Sequence, residues 1–84
     1  MIKIVVLERG WVVVGEYTED SDKAWIDKGA VIRSWGTKQG LSELIAGPLT
    51  ATILDKASKR ISFSTDKVIF TLDCEENPWK KALV

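Results

Sequence analysis

Ile2-Lys3-Ile4-Val5-Val6-Leu7-Glu8-Arg9-Gly10-Trp11-Val12-Val13-Val14-Gly15-Glu16-Tyr17-Thr18 decides the fold. Its first run, Ile2 to Glu8, is rich in Ile and Val, whose branched Cβ atoms suit a pleated strand better than a helix. Arg9-Gly10 then supplies a two-residue turn, because glycine takes positive φ without steric cost. The second run, Trp11 to Thr18, carries apolar residues at even positions (Val12, Val14) and at odd ones (Trp11, Val13, Tyr17). A strand with that pattern is covered on both faces. Gly15 is a poor strand former, so its expected role is to let the strand bend sharply or to admit another backbone.

Outward from this hairpin the signal stays β. Glu19-Asp20-Ser21-Asp22 reads as a polar turn, and Lys23 to Trp35 as a strand interrupted at Lys28-Gly29 by a bulge or a tight turn. Gly36 to Gly40 has loop composition. Leu41, Leu44 and Ile45 then recur at helical spacing, which predicts a short helical insertion near 37–47, opened by Thr37 and stopped by Gly47-Pro48. Thr50 to Leu54 and Ile61 to Phe63 read as strands around the charged turn Asp55 to Arg60. In Lys67 to Cys74 the alternation puts Val68, Phe70, Leu72 and Cys74 on one face. Residues 77–84 read as a C-terminal tail. Five or six short strands with tight turns predict a mainly β domain over 1–76: a small, strongly bent antiparallel β-barrel with one short inserted helix.

Composition narrows the chemistry. The chain has 84 residues, enough for one domain with a small core. Twelve basic residues balance twelve acidic ones, so generic attraction to a phosphate backbone is missing. There is no histidine, which removes the commonest general base and metal ligand. The single cysteine, Cys74, permits no intrachain disulfide and fits a reducing compartment. The longest apolar run at the start, Ile4 to Leu7, is too short for a signal-peptide core or a membrane span. A cytoplasmic protein without membrane association is the expectation.

No catalytic set assembles from these residues. Glu19, Asp20 and Asp22, and Asp73, Glu75 and Glu76, are neighbours in turns rather than carboxylates opposed across a cleft. Asp20-Ser21-Asp22 lacks the ligand spacing of a calcium loop. Cys74, flanked by acids, is expected to be an inert thiol. Ser58-Lys59, and Ser64 with Lys67, read as turn chemistry, and Gly36 to Gly40 does not match a phosphate-binding loop. The chain is therefore expected to be no enzyme and to need no cofactor or metal. Four tryptophans remain to be explained. Trp11 and Trp35 are expected in the core, and Trp25 or Trp79 at a contact with a partner, where Lys80 and Lys81 flank Trp79. Base stacking on these aromatics is the alternative.

The order of segments resembles the Sm-like family of small barrels. The likeness rests on Leu7-Glu8-Arg9-Gly10-Trp11-Val12-Val13-Val14-Gly15-Glu16-Tyr17, similar to that family's first block. Trp25-Ile26-Asp27-Lys28-Gly29-Ala30 stands where its third strand runs, and Ser64 to Leu72 where its last strand and the preceding turn lie. The resemblance implies a homo-oligomer, a ring closed by pairing edge strands, and in many members RNA at the pore. In the loops that hold that RNA, Asp20-Ser21-Asp22-Lys23-Ala24 has no Asn and Ser64-Thr65-Asp66 has no Arg-Gly. The leading expectation is accordingly a self-assembling interaction module, with RNA or single-strand binding as the alternative. Val31 to Leu41 also resembles a stretch of small uncharacterised phage and bacterial-host proteins, which implies a phage setting.

Overall fold

The computed structural model describes all 84 residues. Strands β1 (Ile2–Leu7), β2 (Val12–Asp20), β3 (Lys23–Ser34), β4 (Ile53–Lys56), β5 (Ile61–Ser64) and β6 (Val68–Asp73) precede one helix, α1 (Glu76–Ala82). All pairings are antiparallel and join the strands into one sheet of order β4-β3-β2-β1-β6. β5 pairs with β3 as well, Ile61 opposite Ile26, while Lys56 of β4 lies opposite Ala30. β4 and β5 thus lie end to end along one long strand. Between them the chain leaves the ladder after the Ala57 N–H donates to Gly29 O at 2.9 Å.

The bend of this sheet is built where β2 crosses β3. A Cβ on Gly15 would stand 2.8 Å from Gly29 Cα and 3.0 Å from Asp27 O, while one on Gly29 would collide with the Val14 carbonyl. Only two glycines let these backbones approach so closely. Beside them Lys28 adopts φ 51°, and the register slips between Val14 and Glu16. The extra residue reverses the facing of β3, so the strand continues through a bulge. Ala30 and Ile32 join Val14 on one face of the sheet, while Ile26 joins Val13 on the other.

Both faces of the central strands are consequently cores. One collects Ile2, Ile4, Val6, Val12, Val14, Ala30 and Ile32 under Leu41, Leu44 and Trp79. The other holds Val5, Val13 and Ile26, with Leu7, Tyr17, Ile61, Phe63 and Val68 packed around them. Residues of β5 and β6, from different flanks of the sheet, both pack against this second cluster.

Three local expectations are corrected. The inserted helix is a 3-10 turn confined to Leu41–Ala46; Thr37 does not cap it, and the Glu43 carboxylate instead accepts the Lys38 and Gln39 N–H groups. The segment read as a tail forms α1, because Trp79 has a pocket to fill and Glu76 Oε2 accepts the Ile2 N–H at 2.7 Å. In β6, Leu7 lies opposite Val68 but Val6 opposite Phe70, so Ile69 is an extra residue. That bulge sends Val68 to the second core and leaves Phe70 largely exposed, splitting the single face that the alternation implied.

Candidate functional site

The tryptophans exchange the roles their sequence contexts suggest. Trp79, expected at a contact surface, is 0% exposed, and its indole N–H donates to Leu44 O at 2.7 Å. That bond satisfies the ring's one polar atom, so the residue works as a core plug. Trp11 and Trp35, expected in the core, are 59% and 41% exposed. Trp11 precedes β2 at the hairpin end, beyond the cover of either cluster. Trp35 follows β3, where Gly36 (φ 66°) turns the chain against the Ala51 backbone. Trp25 is half-buried, with the Arg60 guanidinium 4.9 Å from its ring centre. Arg60 is itself held by Asp27, at 2.8 and 3.1 Å, so Trp25 is capped by a fixed cation. Lys80 and Lys81 are exposed on α1, with Lys80 Nζ 4.0 Å from Glu76.

Apolar surface gathers instead beside the two ends of the strand ladder. On β6, Ile69 is 60% exposed and Phe70 nearly half. Next to β4, Trp35, Leu49 and Ile53 are exposed together. One hydroxyl organises that group: Thr52 Oγ1 donates to Trp35 O at 2.7 Å and accepts the Leu49 N–H at 2.9 Å. β4 pairs only with β3 and β6 only with β1, so each has an unpaired edge. Sequence reasoning missed Leu49, Ile53 and Phe70. Leu49 carried a signal, since it is a large apolar residue inside a Gly-Pro-Leu-Thr loop where solvation favours polar ones.

The remaining groups are chemically quiet. Cys74 is buried, and its thiol is pushed up to about 11, first by burial and then by the charges of Asp73 and Glu76, against a backbone hydrogen bond that lowers it. It stays protonated near neutrality and is a poor nucleophile. Burial raises the Tyr17 hydroxyl as well, helped by its 3.0 Å bond to the Glu19 carboxylate. Arg33 donates to the Asp55 carboxylate through Nε and Nη2, at 2.7 to 3.2 Å, and that hydrogen bonding holds the Asp55 carboxyl below its usual range. No helix is long and apolar enough to cross a membrane. No protein-family model matches the chain, and comparison with curated proteins gives no match.

Proposed function

We propose that the protein is a non-enzymatic interaction module that assembles with copies of itself, a small Sm-like barrel whose curvature continues from one subunit into the next. One observation carries this reading: the ladder ends at β4 and β6, and exposed apolar side chains flank both open edges. An edge strand with unpaired N–H and C=O groups and apolar neighbours is a template for another strand. The two edges differ in sequence, so joining them is heterologous and makes a ring when the rotation closes. The packing of β5 and β6 side chains against Val5, Val13 and Ile26 supports the barrel form of the reading.

Light scattering on the eluting protein tests it. The expected result is a discrete multiple of the 9.4 kDa chain, reduced by Ile69→Lys with Phe70→Lys. A sharp 9.4 kDa species at about 100 μM would overturn assembly, since interfaces of useful affinity are populated there.

Single-strand nucleic-acid binding has one observation in its favour: exposed Trp11 borders a shallow groove with Arg9 and Arg33. Asp55 neutralises Arg33 in that groove, and the chain brings no net positive charge. A labelled oligonucleotide titrated at low salt decides this reading, because low salt favours such contacts most.

A further inference from the structure

Although the chain is neutral overall, its cations are not evenly spread. A cleft of about 900 Å³ opens between the β3 bulge, the excursion after β4 and the end of α1. Its lining includes five cationic residues, Lys28, Lys56, Lys59, Arg60 and Lys80, against the two acids Glu16 and Asp27. Asp27 is already engaged by Arg60, and Lys80 Nζ lies 4.0 Å from Glu76, a loose pairing. Lys56 donates to the Val84 carbonyl at 2.7 Å, and neither Lys28 nor Lys59 has an ion-pair or hydrogen-bond partner. Ile2, Ala57 and Leu83 add an apolar part to the lining. Of the acids without a cation partner, Glu19, Asp20 and Asp22 lie on the β2–β3 hairpin, Glu43 in the 3-10 turn, Asp66 between β5 and β6 and Glu75 just before α1, and none of them lines the cleft.

Lys28 is the telling residue. Its backbone sits at φ 51°, a conformation that glycine or asparagine adopts at lower cost, yet a lysine stands there with its side chain exposed. Four ammonium groups lining a concave, partly apolar cleft, two of them unpaired, suit a compact anion with several oxygens. Zero net charge and the limited extent of the half-open cleft suit a short phosphate chain better than a long nucleic-acid track.

We propose that this cleft binds a di- or triphosphate group, free or carried by a nucleoside, through Lys28, Lys56, Lys59 and Lys80. The inference goes beyond self-assembly: Lys28, Lys59 and Lys80 lie outside β4 and β6, and of the four lysines only Lys56, the last residue of β4, belongs to an edge strand. The test is an amide NMR titration of the whole chain with sodium tripolyphosphate, ATP without metal, and adenosine. Tripolyphosphate and ATP are expected to saturate and to shift Lys28, Gly29, Ala57, Ser58 and Lys59, while adenosine shifts none of them. Equal affinity for the two anions assigns recognition to the phosphate chain alone; tighter ATP binding adds a nucleoside contact. Lys28→Gly keeps the backbone conformation available and removes the cation, so the protein stays folded. This variant and Lys59→Ala should each weaken binding about fivefold or more. Absence of saturation below about 5 mM at low salt, where charge attraction is least screened, overturns the site. So do shifts confined to other residues, or variants that bind like the parent.

Discussion

The two faces of the β1–β2 hairpin are closed by opposite means. On one face, Leu41 and Leu44 of the 3-10 turn and Trp79 of α1 cover the Ile/Val layer. On the other, strand side chains do the covering, with Ile61 and Phe63 of β5 and Val68 of β6 packed against Val5, Val13 and Ile26. The first closure depends on a large side chain filling a hole. The second depends on atoms that are missing, since Gly15 and Gly29 let the backbones meet. One face should therefore fail when atoms are removed and the other when atoms are added.

Gly29→Ala is expected to do the most damage. Its Cβ would meet both the Val14 carbonyl and Ile26 Cγ2, so backbone as well as side chain has to yield. Overpacking costs about 1–3 kcal/mol where side chains alone can yield; here the carbonyl of the paired strand must move too, so the loss is expected to exceed the about 3–5 kcal/mol of a deleted core aromatic and to take most of a small domain's stability. Urea unfolding followed by circular dichroism measures it. A midpoint equal to the parent's would show that the close approach of β2 and β3 does not set the bend.

Trp79→Ala comes next, at about 3–5 kcal/mol for a deleted core aromatic. Trp79→Phe separates the ring from its N–H and should cost less, about 1–2 kcal/mol, because Leu44 O loses its donor while most of the volume stays. If both substitutions left the urea midpoint unchanged, α1 would be no structural part of the first face.

How far these arrangements could be read in advance depended on their range along the chain. The Val and Ile alternation of β1 and β2, the bending role of Gly15 and the break at Lys28-Gly29 are local signals with a direct steric meaning. The bulge at Ile69 has no such mark, since an extra residue is visible only against β1. α1 has seven residues, too few to be stable by helix propensity, and it forms because Trp79 is received by Leu44 from far along the chain. The basic cleft was hidden for the same reason: Lys28, Lys59 and Lys80 line one cleft only once β4 and β5 have paired along β3. Free strand edges likewise follow from pairing, which composition does not encode.

A smaller effect should appear on the helical face at high pH. Cys74 has its thiol raised from 9.0 to about 11, so the folded state holds its proton where the unfolded chain has released it. A raised acid contributes its full stability below 9.0 and loses it as pH climbs towards about 11. Urea midpoints should fall across that window, and Cys74→Ala should flatten the part of the decline due to the thiol. An identical slope in the variant would place the alkaline loss elsewhere. Alkylation of Cys74 in the folded protein should also remain slow until the upper end of that range.

The smallest effect is expected at Trp11, and its smallness is the informative part. Were this ring in the core, Trp11→Ser would cost as much as Trp79→Ala; exposed at the end of the hairpin, it should shift stability by no more than about 0.5 kcal/mol. Iodide quenching gives an independent reading, because the emission of Trp11 and Trp35 is open to the ion while Trp79 is enclosed. A large loss of stability in Trp11→Ser would mean that assembly, not the single chain, covers the ring, and light scattering on the variant would then show smaller particles. A neutral substitution with intact particles would leave Trp11 free for a different partner and would confine the self-contact to the two strand edges.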